Sequence, residues 1–418
     1  MTIIDEPTVP TAPRSAASQG ADSPIAHLTR EDIEAIGAEL DAIRAEVMAT
    51  RGERDAAYIR RVIKTQRYLE LGSRAVLLGS IFPPAFIAGT VGLSVAKILD
   101  NMEIGHNILH GQWDWMRDPK IHSTTWEWDN AATSEGWKKS HNEEHHTYTN
   151  IVGMDNDLGW GLVRVDEEQA WNPRCLIQPA LNFVNMMFFQ YGIAAYDLKL
   201  GDNLRVPKPE RSEDFKRQLK GTLHKIRKQA TKDYVVHPLL SGPSFATTIA
   251  ANLIANAARN VWSHAVIMCG HFPEGVSTFE LDELPEDETR GDWYVRQMLG
   301  SANISGSKLI HIMSGNLSHQ IEHHIWPDLP SNRYAEVAPR VRAIFEKYGL
   351  RYHTAPMPAQ VYSAWHKTVR LSFPNGWWET TTKRNLPSQL RLIGKIVKAK
   401  GKDRLRMLKE LEARAASR

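Results

Sequence analysis

Histidine is the residue whose type and spacing in this sequence point most directly to chemistry. Seventeen histidines occur among 418 residues, and eight of them fall into three short boxes. The boxes are His106-Asn-Ile-Leu-His110, His141-Asn-Glu-Glu-His145-His146 and His319-Gln-Ile-Glu-His323-His324. Because imidazole nitrogen binds zinc, copper, iron and nickel well, this clustering predicts a metal site.

Each box contains two histidines that are four residues apart. On an α-helix, such residues differ by about 40° around the axis and therefore face one ion together. The adjacent histidine, His146 or His324, lies about 100° away and can serve a second ion. Eight imidazoles exceed the ligands of one metal, so the boxes predict more than one ion.

Two alternatives use fewer of these histidines. The second and third boxes also match the H-x-x-E-H pattern of zinc peptidases, through Glu144 and Glu322. A peptidase needs this pattern once, whereas it occurs twice here and a further histidine follows each copy. A membrane zinc peptidase is therefore one alternative, and a non-catalytic metal-binding or haem-binding membrane protein is another.

Three apolar regions must position the boxes. Residues 71–99 contain two charges and the Pro83-Pro84 pair, residues 176–196 contain none, and residues 235–270 contain only Arg259. A membrane-crossing helix needs about 20 such residues. The regions predict an all-α fold of multi-pass membrane helices with a cytoplasmic helical cap. The alternative is a soluble all-helical enzyme in which these helices are buried.

The remaining segments divide the chain around this membrane unit. Thr29 can cap a helix in which apolar residues recur three and four positions apart. The predicted units are a disordered tail over 1–28, an amphipathic cytoplasmic helix over 29–66, a membrane domain over 67–375 and a basic tail over 376–418.

Composition excludes several other classes. The 51 Lys and Arg nearly balance the 48 Asp and Glu, which gives no sign of a nucleic-acid partner. Two cysteines are too few for a disulfide framework, an iron–sulfur cluster or a four-cysteine zinc site. No dinucleotide fingerprint or P-loop is present. Basic residues in 201–233 and 383–418 favour the cytoplasmic face and contact with membrane lipid.

The order of the three boxes and the sequence segments around them resemble those of a known family. The segments GHNILHGQWDWMRDP, STTWEWD and SGNLSHQIEHHIWPDLPSNRY are similar to those of the membrane-bound fatty acid desaturases. Within that family the chain resembles the actinobacterial acyl-CoA desaturases that act at the delta-9 position. The similarity extends from about residue 30 to residue 374.

This resemblance implies a site with two iron ions. It assigns the eight box histidines as ligands, and His271 matches a further ligand near the end of the last membrane helix. His264 is a weaker candidate for that position. In the third box the leading ligand is assigned to His319, and Gln320 remains open.

The resemblance also implies the reaction and its partners. We expect a cis double bond in a long-chain fatty acyl substrate, made with O2 and two electrons from a separate NAD(P)H-dependent oxidoreductase. The implied location is the bacterial inner membrane, with the boxes and both termini cytoplasmic. A lipid hydroxylase with the same iron pair is the nearest alternative. Trp113, Trp115, Trp126 and Trp128, which lie between the first and second boxes, are predicted to wall the acyl channel or else to belong to an interfacial aromatic belt.

Overall fold

The computed structural model of the chain describes residues 24–155, 157–281 and 284–417, so most of the predicted N-terminal tail lies outside the described residues. The predicted all-α class is confirmed. The first α-helices are α1 (Arg30–Ala49), α2 (Glu53–Leu77), α3 (Pro83–Leu99), α4 (Asn107–Leu109), α5 (Ser134–Trp137), α6 (His146–Tyr148), α7 (Gln178–Met187), α8 (Phe189–Asp197), α9 (Leu200–Arg205) and α10 (Glu213–Thr231).

The later helices are α11 (His237–Leu240), α12 (Phe245–His271), α13 (Arg290–Leu299), α14 (Lys308–Met313), α15 (Gln320–Ile325), α16 (Tyr334–Lys347), α17 (Met357–Arg370), α18 (Trp377–Thr380), α19 (Leu386–Lys398) and α20 (Gly401–Ala416). Three π-helical segments, π1 (Asp100–His106), π2 (Lys138–His145) and π3 (Lys232–Val236), connect neighbouring helices. Strands β1 (Asn303–Ser305) and β2 (Thr354–Pro356) pair in parallel.

The helix predicted over 29–66 is two helices, because the chain turns between α1 and α2. Thr29 caps α1 as expected, since its side chain accepts a hydrogen bond from the backbone N–H of Asp32. The apolar stripe of α1 is buried against α13 and α16, where Ile36 and Leu40 are fully enclosed. This packing holds the N-terminal helix on the side of the molecule that carries the third histidine box.

Two helical hairpins form the long axis of the molecule. In the first, α2 turns into α3, and in the second the continuous helix α10–π3–α11 turns into α12. The two turns meet, because the hydroxyl of Ser80 bonds that of Thr248 at 3.0 Å and Ser244 accepts from the N–H of Ile81. Both hairpin tips therefore lie at one end of the molecule.

The histidines lie at the opposite end of these hairpins. From Pro83 to His106 the helix rises about 35 Å, at about 1.5 Å per residue. The rise from Phe245 to His271 is about 39 Å by the same measure. Each distance exceeds the roughly 30 Å thickness of a bilayer's hydrocarbon core.

One helix among the described residues is both long and apolar enough to cross a membrane, namely the 27 residues Pro83–Leu109. The predicted apolar region 176–196 is divided into α7 and α8, of ten and nine residues. These two helices are too short to cross, since a crossing needs about 20 residues. Their exposed Phe183 and Phe188 suit an interfacial position.

A buried ionic network connects the two hairpins midway along their length. Lys97 of α3 lies 2.8 Å from Asp233 of π3, and Arg74 of α2 lies 2.9 Å from the same carboxylate. The side chain of Asp233 is fully enclosed. These pairs cross-link α2 and α3 to the helix that contains π3.

The basic C-terminal segment folds back onto the molecule. Ile393 and Ile396 of α19 are buried with Leu411 of α20 and Trp377. Only part of the apolar face of α19 remains available to lipid, with Leu390 about half exposed.

Candidate metal centre

The first histidine box lies where α3 continues into π1. π-helical turns are rare and occur often at functional sites. The side-chain amide of Asn107 donates to the carbonyl of Glu103 at 3.1 Å, which supplies a partner where the helical hydrogen-bond pattern changes. His106 ends π1 and His110 follows α4, and their Nε2 atoms lie 3.1 Å apart. The predicted pairing of these histidines therefore occurs on a π-helical turn.

The second box is also π-helical. His141 and His145 lie on π2, and His146 begins α6. All three side chains are buried. The hydroxyl of Thr149 donates to the carbonyl of His145 at 2.8 Å and completes the end of this segment.

The third box departs from the predicted continuous helix. His319 ends a short 3-10 turn with φ −102° and ψ 56°, and α15 begins at the next residue. His323 and His324 of α15 are fully buried in the centre, whereas the ring of His319 stacks on His311 at a centroid distance of 4.7 Å. His319 and His323 thus do not share one helical face.

Gln320 takes the position that the sequence analysis assigned to His319. Its side-chain nitrogen lies 3.0 Å from Nε2 of His271. The backbone break at His319 turns the first histidine of the box away and brings the next residue into the centre. The geometry therefore favours Gln320, the alternative that the sequence left open.

Two of the imidazoles donate hydrogen bonds to carboxylates on the outer side of the centre. Nδ1 of His141 donates to Asp157 at 3.0 Å, and Nδ1 of His145 donates to Asp155 at 3.0 Å. With Nδ1 acting as the donor, the lone pair of each ring is on Nε2. Outer hydrogen bonds of this kind fix ring orientation at metal sites.

Two neutral acceptors hold the histidines of α15. Nδ1 of His324 donates to the side-chain carbonyl of Gln297 at 3.1 Å. Nδ1 of His323 donates to the hydroxyl of Tyr334 at 3.2 Å, and that hydroxyl donates onward to the carbonyl of Trp326. Both imidazoles therefore also present Nε2 lone pairs to the interior.

The inward nitrogens form two groups. Ligand atoms within 4.8 Å of one another define the first group, from His106, His110, His141 and His323, and the second, from His145, His271 and His324. Nε2 of His106 lies 3.3 Å from Nε2 of His323, and Nε2 of His271 lies 3.1 Å from Nε2 of His324. If both nitrogens of such a pair carry lone pairs, they repel at this separation, and a cation between them would remove that repulsion.

His146 lies between the two groups. Its ring stacks on His324 at a centroid distance of 4.4 Å and approaches His110 at 4.7 Å. Neither of its ring nitrogens has a hydrogen-bond partner among the described residues. A buried imidazole with both nitrogens unsatisfied is costly unless it binds something, so its position fits a ligand.

Burial keeps most of these rings neutral. Loss of solvent, reinforced by neighbouring histidines, lowers the pKa of His323 and His324 well below the usual value. Burial also lowers the pKa of His145, but Asp155 and Asp157 outweigh it, so the pKa of His145 is raised. Neutral imidazole is the form that binds metal. A metal ion at His145 would have to displace the proton whose binding Asp155 and Asp157 favour.

Asp155 and Asp157 were not predicted from the sequence. Other acids near the boxes have different partners, since Glu103 accepts a hydrogen bond from Tyr58 and Glu322 accepts one from Tyr352. The available signal was the Asp-Asn-Asp sequence ten residues after His145.

His264, the weaker candidate, lies outside both groups. Its Nε2 donates to the side-chain oxygen Oδ1 of Asn182 at 2.9 Å, and its ring lies against Trp160 and Phe189. His271, the stronger candidate, ends α12 inside the second group.

A cavity opens beside the first group. His106 and His141 form part of its wall together with Trp128, Trp137 and Trp160. Polar side chains also line it, among them Asn101, Asn130, Asp197 and Arg259. Of the four tryptophans predicted to wall the channel, Trp128 lines this cavity and the other three do not. Trp113 is fully buried among Ile59, Ile104 and Ile108, and Trp115 packs at the edge of the same apolar cluster beneath Arg51.

The arrangement suits two metal ions more than a peptidase site. Glu322 is bound to Asn303 and Tyr352, and Glu144 pairs with Lys199 at 2.9 Å. Neither carboxylate is therefore placed as the free general base that zinc peptidases require. Histidine-rich ligation by neutral nitrogens is compatible with iron, and a cavity adjoins the first group.

Comparisons with a family model and with individual proteins agree on one family. The model of the fatty acid desaturase family matches residues 81–356. The chain is 47% identical over 354 residues to NADPH-dependent stearoyl-CoA 9-desaturase of Mycobacterium tuberculosis, covering 84% of this chain and 82% of that protein. It is 23% identical over 327 residues to sn-1 linoleoyl-lipid 6-desaturase of Synechocystis, covering 76% and 88%. It is 25% identical over 296 residues to Delta(5) fatty acid desaturase A of Dictyostelium discoideum, covering 63% and 58%.

Proposed function

The chain belongs to the fatty acid desaturase family, and from that membership we propose that it forms a cis double bond at the delta-9 position of a long-chain acyl-CoA. The observation that carries the proposal is the pair of adjoining histidine groups with inward Nε2 atoms. The name of the Mycobacterium tuberculosis relative supports the bond position and the coenzyme A thioester.

Each histidine group would hold one iron ion. His106, His110, His141 and His323 would bind the first, and His145, His271 and His324 the second, with Gln320 beside His271. His146 lies close enough to both groups to complete either. When bound, the irons would supply, with O2 and two electrons, the oxidant that removes hydrogen from an unactivated methylene.

The protein's own part is orientation and exclusion of water. Asp155 and Asp157 hold their histidines in one tautomer, and Tyr334 and Gln297 do the same for α15. Trp128, Trp137 and Trp160 give the cavity an apolar wall beside the first group. An acyl chain in this cavity would be held against the histidines and away from solvent.

A separate protein would deliver the electrons. The sequence has no dinucleotide fingerprint and too few cysteines for an iron–sulfur cluster. The Mycobacterium tuberculosis relative is described as NADPH-dependent, which supports an NAD(P)H-dependent oxidoreductase as the donor.

The two hairpins would cross the bacterial inner membrane, with their tips on the far side. Apolar side chains exposed near the tips, including Phe82, Leu239 and Leu240, support this placement. The histidines, both termini and the basic helix α10 would then face the cytoplasm, in agreement with the positive-inside tendency.

The proposal is tested by expression in a host that makes no unsaturated fatty acids, together with a matched reductase. Mass spectrometry of the fatty acids should find new monounsaturated chains with the bond at carbon 9. The products should disappear in His145→Ala and His323→Ala. Hydroxylated acids would instead indicate a hydroxylase, and an unchanged profile with zinc in the purified protein would contradict the proposal.

A further inference from the structure

A groove on the outer side of α2 is lined by more cations than anions. Arg60, Lys64 and Arg67 of α2 line it together with Lys120, and Asp118 is the one acid in its wall. Lys64, Arg67 and Lys120 are exposed. Arg60 reaches Asp118 only at 4.0 Å, so this carboxylate offsets little of the positive charge.

The floor of the groove is apolar and aromatic. Ile63 and Ile121 are buried beneath it, and Trp126 forms part of its wall. Tyr68, with 66% of its surface exposed, stands at one side. An exposed aromatic ring beside several cations is suited to a ligand that has both phosphates and a flat ring.

Trp126 connects this groove to the cavity at the histidines. It packs against the cluster of Ile63 and Trp113, and also against the cluster of Trp128 and Trp137. Trp128 and Trp137 in turn line the cavity. The indole N–H of Trp126 is buried without an acceptor among the described residues. Trp126 of the groove thus packs against the cluster that contains two aromatic residues of the cavity wall.

The position of the groove along α2 matches an interfacial ligand. Lys64 and Arg67 come a few residues before Leu71, whose exposed side chain begins the apolar part of the hairpin. A molecule bound here would keep its charged part in water while an attached chain entered the cavity past Trp126.

We propose that this groove binds the phosphate-bearing head of the acyl-CoA substrate. The proposal rests on the proposed acyl-CoA desaturase function and adds the residues that recognise the thioester's carrier. Coenzyme A has three phosphates and an adenine ring, which matches several cations beside Tyr68. The headgroup of phosphatidylglycerol has a single phosphate, so it leaves most of this charge unmatched.

The test measures binding of free coenzyme A to the purified, iron-loaded protein by titration calorimetry. Pantetheine, which has no phosphate, should bind far more weakly. Lys64→Gln/Arg67→Gln should weaken coenzyme A binding by about 100-fold, or about tenfold for each charged contact removed. The matched control is Arg61→Gln, an exposed cation of the same helix outside the groove, and it should leave binding unchanged.

Vesicles of phosphatidylglycerol, compared with phosphatidylcholine, separate a lipid headgroup from coenzyme A. Weaker coenzyme A binding with unchanged vesicle binding supports the proposal. Unchanged coenzyme A binding overturns it, and so does weaker vesicle binding alone, which would make the groove a headgroup site. Loss of both would indicate a phosphate site without selectivity and would also overturn it.

Activity distinguishes failure of this site from failure of the proposed function. If the groove binds the carrier, the double variant should have a raised KM for acyl-CoA and an unchanged kcat, because it loses binding and keeps the histidines. If the wild-type protein forms no double bond with any acyl donor, the proposed function fails, while the coenzyme A titration still reports on the groove.

Discussion

At the scale of single residues, the outer ring nitrogens decide what the histidines can offer. Asp155, Asp157, Gln297 and Tyr334 each accept a hydrogen bond from an Nδ1 atom, so four Nε2 lone pairs face the interior. These four partners lie 10 to 27 residues away in sequence from the histidines that they bind. The metal centre therefore depends on residues that the histidine boxes do not contain.

Replacing Asp155 by Asn should weaken iron binding by about 10-fold to 100-fold. The amide oxygen can still accept from His145, but the charge that supports the ring is lost. Iron retained per chain during a chelator titration measures this effect. Asp114→Asn, whose carboxylate accepts from Ser123, serves as the control. Equal iron retention in the wild type and in Asp155→Asn would show that this carboxylate only supports its loop.

His323→Ala and His319→Ala should differ sharply. His323 belongs to the first group, so its loss should lower the iron content and abolish desaturation. His319 stacks on His311 outside both groups, so its loss should leave the iron content at the wild-type level. Metal analysis and product analysis of both variants, with the exposed His366→Ala as control, test the difference. Equal iron loss in both would return the ligand role to His319.

At the scale of elements, the π-helical segments and a few tight contacts set the positions of the boxes. Gly105 lies on π1 beside His106, where a Cβ atom would approach the carbonyl oxygen of Asp100 to 2.8 Å and the ring of Trp128 to 2.9 Å. A side chain at this position would displace either the helical turn or a wall of the cavity. The glycine thus permits the first box and the cavity wall to be neighbours.

Gly105→Ala should reduce activity on the order of tenfold to 100-fold, because small displacements of reacting groups are costly. Gly72→Ala is the matched control on α2, since a Cβ there meets nothing within 4 Å. Rates of desaturation in reconstituted protein would show the effect. Similar activity in the two alanine variants would contradict the close contact described at π1.

A buried ion pair connects α2 to the segment after the third box. The carboxylate of Asp55 is fully enclosed and accepts hydrogen bonds from Arg333 at 2.8 Å and Asn332 at 2.7 Å. Burial alone would raise the pKa of Asp55, but these bonds outweigh it and the pKa is lowered. Removing one partner of such a pair typically costs about 3–5 kcal/mol.

The stability that Asp55 contributes should depend on pH. Its folded-state pKa is below its unfolded value of about 3.9, so the contribution is complete above that value and is lost as the pH falls below it. Unfolding in denaturant at several acidic pH values measures this loss. Asp55→Asn should be less stable at neutral pH and should lose less stability on acidification. Parallel pH profiles for the two proteins would exclude Asp55 as a contributor.

At the scale of the whole molecule, the hairpins separate an apolar end from a polar end with the histidines. Exposed apolar side chains are concentrated near the tips, at Ile81, Phe82, Leu239 and Leu240. The buried pairs of Lys97 and Arg74 with Asp233 lie between the two ends. This division fits the proposed placement, in which the hairpins enter the bilayer and the histidines stay outside it.

The protein should therefore remain with the membrane fraction in high salt and in alkaline carbonate, and it should leave only in detergent. High salt would release a protein that is attached only through its basic segments. It would not release a protein whose hairpins are embedded in the bilayer. Fractionation followed by immunodetection gives the answer. Release by salt or carbonate would be incompatible with hairpins that cross the bilayer.

The sequence alone was sufficient for properties that depend on residue type and local spacing. The three histidine boxes predicted a site for more than one metal, and the apolar regions and their periodicity predicted an all-α fold. The sequence segments around the boxes predicted the family. The prediction that Thr29 caps a helix also depended only on adjacent residues, and it is confirmed. Each of these inferences needs only neighbours along the chain, or a pattern shared with relatives.

Tertiary structure decided what spacing could not. Four-residue spacing assumes a continuous helix, but the backbone breaks at His319 and brings Gln320 to His271 instead. Trp113 was predicted to line the channel and is core, while Trp137 lines the cavity. Such outcomes depend on contacts between residues far apart in sequence, and those contacts exist only once the hairpins and the cap have packed together.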